Sequence, residues 1–183
     1  MPILSETKNM DKPTDRTIFQ NAWVVTDLEA ACMKWVHELG IGPFFVSEFT
    51  NDTFEQVTYR GQPADLAMRV AVAQAGNVQI ELIEPHTAEC AYRDVIPEGE
   101  SGFHHMCVWT HDFDADLNYF NSLGYPAANT GRIRNIDFAY FDTRPLMGCM
   151  LEVVTHNPGT VERFAEIADA AAGWNGEDPV RPR

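Results

Sequence analysis

Apolar positions along this chain switch between two periods, and each switch marks an element boundary. Residues 17–25 are rich in strand formers. From Leu28 the period becomes helical: Leu28, Ala31, Trp35 and Leu39 form a stripe behind a cap at Thr26 or Asp27 and ahead of a stop at Gly40. Strand-like runs follow at 43–50, 54–59, 66–75 and 78–84, with a tight turn at Gly76-Asn77 and a stop at Pro85. Residues 86–102 carry turn formers without a period and read as a connector. A strand then begins near Gly102, and Asp112 is placed to cap a second helix. Runs at 126–132, 136–142 and 149–155 read as further strands, and 161–172 as a terminal helix. The polar segment 1–16 reads as an arm, and the tail after Gly173 as loose.

The second half of this pattern repeats the first. Placing Gln20 over His105 (105 − 20 = 85) aligns Asp27 with Asp112, Leu28 with Phe113 and Trp35 with Phe120. One deletion later, Leu39-Gly40 falls on Leu123-Gly124. The expected class is α+β, built from two βαβββ modules. The expected division is an arm over 1–16, a first module over 17–85, a connector over 86–102, a second module over 103–158, and a helix and tail over 159–183.

Alternation assigns faces within these strands. His105, Cys107 and Trp109 share one face, with His104 and Met106 on the other. Glu81 lies on the face opposite Ile80 and Leu82, and Glu152 shares a face with Met150 and Val154. Each module therefore offers one polar residue early in its first strand and one carboxylate in its last: Gln20 and Glu81, then His105 and Glu152. Modules paired about a pseudo-twofold would bring all four to one cavity, partly apolar because Trp109, Cys107, Met150 and Ile83 share its faces. An amide oxygen, an imidazole and two carboxylates suit one divalent ion, with Zn, Ni, Co, Mn and Mg all compatible. Two carboxylates balance its charge, and the two remaining positions would be open to water or substrate oxygens.

Charge and composition narrow the partners. The net charge of −14 opposes binding to nucleic acid. No apolar run approaches the roughly 20 residues of a bilayer span, and the N-terminus lacks an export signal's apolar core, so the expected compartment is the cytoplasm. Four scattered cysteines, with no Cys-x-x-Cys pair, speak against a zinc ribbon or a disulfide scaffold. Cys107 and Cys149 read as small buried hydrophobes. Arg132 and Arg134 could receive a carboxylate or a thioester's phosphates, against a plainer reading as surface arginines.

Four segments, Gln20-Asn-Ala-Trp-Val-Val-Thr-Asp-Leu28, Glu81-Leu-Ile-Glu-Pro85, Gly102-Phe-His-His-Met106 and Leu151-Glu-Val-Val154, resemble the vicinal oxygen chelate superfamily. This is the glyoxalase, bleomycin-resistance and extradiol-dioxygenase group, and its glyoxalase-like and methylmalonyl-CoA epimerase branch is the nearest likeness. The resemblance covers about residues 18–158. It implies a curved eight-stranded sheet around a central cavity, with metal ligands at Gln20, Glu81, His105 and Glu152. That set looks more like eukaryotic-type glyoxalase I than like the epimerase pattern, which has His in place of Gln20 and Gln in place of Glu81. It also departs from the two-His, one-carboxylate set of the superfamily's dioxygenases.

The implied activity is metal-dependent isomerase, epimerase or lyase chemistry by proton transfer next to a carbonyl, on a small substrate such as a thioester or an aromatic compound. Glu152 is the first choice of general base and Glu81 the second. The alternatives are a metal-free ligand-sequestering protein of the bleomycin-resistance type, and a dioxygenase. The resemblance also implies a homodimer.

Overall fold

The computed structural model describes residues 16–183; the expected arm lies outside them except for Arg16, which is ion-paired with Asp116. The first module runs β1 (Ile18–Val24), α1 (Leu28–Leu39), β2 (Phe44–Phe49), a small hairpin of β3 (Glu55–Tyr59) and β4 (Gln62–Pro63), then β5 (Met68–Ala75) and β6 (Val78–Pro85). After a short helix α2 (Ala91–Val95), the second module runs β7 (Gly102–Thr110), α3 (Phe113–Ser122), β8 (Ala127–Ile133), β9 (Ile136–Phe141), a single helical turn α4 (Arg144–Met147) and β10 (Met150–Thr155). Helix α5 (Pro158–Ala171) and strand β11 (Val180–Pro182) end the chain.

The two module helices begin and end as the residue pattern predicts. Asp27 accepts from the Ala30 amide at 2.9 Å, and Asp112 accepts from the Ala115 amide at 3.0 Å. These bonds satisfy amides that have no partner within the helix. Gly40 closes α1 in the left-handed region, with φ 68°. The apolar face of α1 packs on β5 and β6 around Leu28, Cys32, Ala71 and Leu82, and α3 packs on the second module around Phe120, Phe141, Leu151 and Val153.

All strands join one sheet in the order β11-β2-β5-β6-β1-β7-β10-β9-β8-β3-β4. Eight of them form the two modules, β2-β5-β6-β1 and β7-β10-β9-β8, which mirror each other in order. β1 and β7 meet antiparallel at the centre, and each has its module's last strand parallel on its other side. The class is α+β, as the repeat implied.

The run at 54–59 does not stay in the first module. It is β3, and it pairs with β8 at the far edge of the second. Eight strand spacings separate β2 from β3 in the sheet order, about 38 Å if the sheet were flat. The six-residue step from Phe49 to Glu55 spans at most about 21 Å. The sheet must therefore curl, and this crossing roofs the hollow it makes. Phe54, carried over in the crossing, packs against Phe49 and Phe138, each with ring centroids 5.8 Å away.

Two expectations are revised. The connector contains α2, whose Cys90, Ala91 and Tyr92 are buried in the central cluster because the concave side of the sheet needs apolar filling there. The tail is not loose: β11 pairs in parallel with β2, and the Trp174 indole donates to the Glu177 carbonyl at 2.7 Å. A Cβ built on Gly42 would lie 2.7 Å from the Trp174 ring. Gly42→Ala is therefore expected to cost roughly 1–3 kcal/mol by overpacking. Thermal unfolding should register the loss, and limited proteolysis should cut the tail faster.

Candidate metal centre

Two bulges at the β1–β7 seam aim the key side chains. One register shift leaves Phe19 as an extra residue in β1, and the other leaves His104 as an extra residue in β7. The two positions are equivalent under the repeat (104 − 19 = 85). Strict alternation had put His104 on the face opposite His105. The bulge breaks that alternation, and His104 turns inward beside His105, fully buried.

Ala22, in β1, pairs with Glu81 on one side and with His105 on the other. Glu152, in β10, pairs with Cys107 of β7. These registers bring the donor atoms of Glu81, His105 and Glu152 within 4.8 Å of one another. His105 Nε2 lies 3.1 Å from Glu152 Oε2 and 3.5 Å from Glu81 Oε2. Gln20 is buried and lines the same cavity as both carboxylates. Its amide nitrogen donates to Gln79 Oε1 at 2.6 Å, so its oxygen is the atom it can offer to a cation. The buried partner Gln79 was not singled out in the sequence.

The orientation of His105 follows from its neighbours. The Ala91 carbonyl, 3.0 Å from His104 Nε2, can only accept, so that nitrogen carries the proton. His104 Nδ1 is then an acceptor, and it takes the Nδ1–H of His105 at 2.9 Å. In the neutral ring this leaves His105 Nε2 as a bare lone pair facing two carboxylates. Such an arrangement is repulsive unless a proton or a metal ion lies between them. Both His105 Nε2 and Glu81 Oε2 are buried without a hydrogen-bond partner. Donors about 2 Å from one ion lie roughly 3–4 Å apart, which the observed separations match. The residues fit a divalent metal.

The charges in the site respond to this crowding. Burial alone would lower the His105 pKa, but the charges of Glu152 and Glu81 outweigh it and raise it to about 9 when a proton takes the seat. Burial, followed by the His105 charge, lowers His104 to about 3, so it stays neutral. Burial pushes the Glu81 carboxyl up, and the repulsion of Glu152 adds to the effect against the attraction of His105. Burial opposes ionisation of Glu152 too. There the His105 charge and hydrogen bonds from His105, Cys107 and Tyr140 win, and the pKa is lowered. The Tyr92 and Tyr140 hydroxyls share a hydrogen bond at 2.8 Å.

The cavity measures about 460 Å³. Phe54, Met68, Val70, Phe138 and Val154 form apolar walls above the polar floor. Of the aromatic and sulfur residues expected there, Met150 and Cys107 are buried beneath the floor, and Trp109 instead stacks on Phe19 at 4.0 Å. All four cysteines are buried free thiols. Tyr92 and Tyr140 were missed by sequence reasoning. Tyr140 had a signal, since Phe138 and Tyr140 alternate with Asp137 and Ala139, whereas Tyr92 sits in a segment without any period. Arg132 is paired with Asp137 outside the cavity, while Arg134 stands at its mouth.

Two mirrored βαβββ modules around a polar-floored cavity define a paired-module α+β architecture. The chain belongs to the glyoxalase/bleomycin resistance protein/dioxygenase superfamily, whose sequence profile matches residues 19–140. Solved structures sharing the fold include methylmalonyl-CoA epimerase from Mycobacterium tuberculosis, at TM-score 0.54 and 18% identity over 79% of this chain and 91% of that one. A hypothetical protein from Bacillus halodurans C-125 matches at TM-score 0.52 and 17% identity, over 77% and 94%. A variant of the Streptomyces coelicolor epimerase in complex with 2-nitronate-propionyl-CoA matches at 0.53 and 18%, over 79% and 97%. At this identity the likeness speaks for the fold alone. None of the curated proteins matches the sequence. No helix among the described residues is long and apolar enough to cross a membrane.

Proposed function

We propose that the protein is a divalent-metal-dependent isomerase or epimerase that moves a proton on a carbon next to a carbonyl. The observation that carries this reading is the seat formed by Glu81, His105 and Glu152, where two buried donor atoms have no protein partner. Gln20 would complete the set. A bound divalent ion would supply Lewis acidity, stabilising negative charge on a substrate carbonyl oxygen. A solved relative of the same fold is in complex with a propionyl-CoA analogue, which supports a thioester or similar carbonyl compound as substrate.

The surroundings favour different tasks for the two carboxylates. Glu152 is the more enclosed of the two, against His105, Cys107 and Tyr140, which suits a fixed ligand. Glu81 has a raised pKa and an unpartnered oxygen, and its side chain is 15% exposed against 9% for Glu152. The freer of the two carboxylates is the better placed to accept a carbon-bound proton. This reverses the order of preference that the sequence suggested. The apolar walls exclude water from the carbanion equivalent.

The test is exchange of carbon-bound hydrogen for deuterium in D₂O, followed by NMR on metal-loaded protein with a panel of thioesters and 2-hydroxy ketones. Label should enter the carbon next to the carbonyl, and Glu81→Gln, which removes both a metal ligand and the proposed base, should suppress it at least 100-fold. Full exchange in that variant would move the base elsewhere. Exchange absent across the panel, with metal bound, would count against the reaction class.

His104 gives a separate prediction. Because it sets the tautomer of His105, His104→Phe is expected to weaken metal affinity by about 10–100-fold, in the range seen when a ligand's hydrogen-bond partner is removed. Competition with a metal-sensitive dye measures this.

A further inference from the structure

Two arginines at the mouth of the cavity stand without an acidic partner. Among the described residues, six of the ten arginines are ion-paired, and Arg93 and Arg181 donate to backbone carbonyls. Only Arg134 and Arg163 have no carboxylate or carbonyl partner, and both line the cavity mouth. The Arg163 guanidinium donates to the Thr160 hydroxyl at 3.3 Å, and the Arg163 carbonyl accepts from Arg183 at 3.2 Å. In a chain of net charge −14, whose other eight arginines are all engaged, these two stand apart.

The backbone at Arg134 adds a second, independent observation. β8 and β9 are joined by a two-residue turn between the paired residues Ile133 and Ile136. Its first position has φ 55°, in the left-handed region that Gly or Asn occupies at least cost. An arginine there is locally unfavourable, and such outliers concentrate where a side chain is needed for binding.

The nearby acids form no ion pair with either arginine among the described residues. Glu48, on the same rim, faces Arg69 across the β2–β5 register. Asp52 and Glu55 border the outer side of the two arginines without an ion pair to either among the described residues. Glu166 is paired with Arg183.

We infer that Arg134 and Arg163 dock an oxyanion, a carboxylate or phosphate, at the far end of a small substrate whose carbonyl end faces Glu81, His105 and Glu152. The inference deepens the proposed function and rests on it for the carbonyl end. The geometry selects bifunctional molecules, since a floor carrying two carboxylates, neutralised by a divalent cation, accepts an oxygen ligand while the rim takes an anion. A volume of about 460 Å³ falls within the usual range for small-molecule sites. Guanidinium forks bind planar oxyanions in bidentate fashion, which fixes the substrate's direction as well as its affinity.

The test uses Co(II)-loaded protein and α,ω-dicarboxylates from malonate to adipate, with acetate and inorganic phosphate as single-anion controls. Calorimetry reads binding, and the cobalt visible spectrum reads access to the metal. At least one dicarboxylate should bind about tenfold or more tighter than acetate, as expected for an added charge-assisted contact. The Arg134→Gln/Arg163→Gln double variant should abolish that advantage, with cobalt uptake unchanged. Tight phosphate binding lost in the same variant would make phosphate the preferred anion. Equal binding of acetate and all dicarboxylates, or an advantage that survives in the double variant, would overturn the inference. Failure to take up Co(II) would instead count against the metal reading. The same comparison on metal-free protein would then decide the arginine pair.

Discussion

Glu81→Gln is expected to abolish the rise in Tm that divalent metal gives the parent protein, while leaving the metal-free protein as stable as the parent or more so. The reason is that metal-free Glu81 is a buried carboxylate with an unpartnered oxygen and a second carboxylate close by. Its pKa is raised on folding, so its charged form destabilises the fold at neutral pH, and the neutral isostere removes that cost. With metal at 100 times its Kd, the parent should gain about 2.7 kcal/mol, which the variant would forgo. Glu152→Gln should behave differently without metal. Its carboxylate is stabilised by His105, Tyr140 and Cys107, so the substitution breaks satisfied bonds and should cost roughly 1–3 kcal/mol. Thermal melts of the three proteins, with and without metal, check both statements. A metal-dependent rise that survives in Glu81→Gln would contradict the ligand assignment.

The second large effect is on pH. Metal affinity should climb about tenfold per pH unit from about pH 6.5 up to about 9, because the ion must displace the proton that His105 holds with a pKa of about 9. Calorimetry in buffers of different ionisation heat would count about one proton released per ion bound. The same groups set the stability of the metal-free protein. His105, raised from 6.5 to about 9, contributes stability that is fully present below about pH 6.5 and is lost as pH rises to 9. His104, lowered to about 3, acts in the opposite direction: its contribution is lost as pH falls from 6.5 toward 3, because the unfolded chain binds the proton that the buried ring refuses. The metal-free protein should therefore lose stability on both sides of about pH 6.5, and metal should remove the alkaline loss. A pH-independent affinity would mean that His105 is not a ligand.

How far the sequence revealed this site depends on which residues are set by local pattern and which by register. Asp27, Gly40 and Asp112 act locally, and they do what their neighbours dictate. Glu81, His105 and Glu152 were placed by alternation combined with the order of strands in the two modules, and the structure brings their donor atoms together. His104 escaped because alternation fails at a bulge, and a bulge is a property of two strands in register rather than of one. The adjacent pair of histidines at a repeat-equivalent position was the available signal. β3 was recognised as a strand, but its partner could not be, since pairing with β8 is a long-range consequence of the curled sheet. Tyr92 reaches the site only through the packing of α2, which no periodicity announces. Tail residues 180–182 are too few and too polar to read as a strand, yet the open edge of β2 supplies their hydrogen bonds.

The measurement that tests the metal centre most directly is elemental analysis of the protein and of Glu152→Ala, both purified without chelators and then titrated with divalent ions. The account predicts about one tightly bound divalent ion per chain in the parent, and at least 100-fold weaker uptake in the variant. No metal in either protein, and none taken up on titration, would contradict it and leave the cavity as a metal-free binding site.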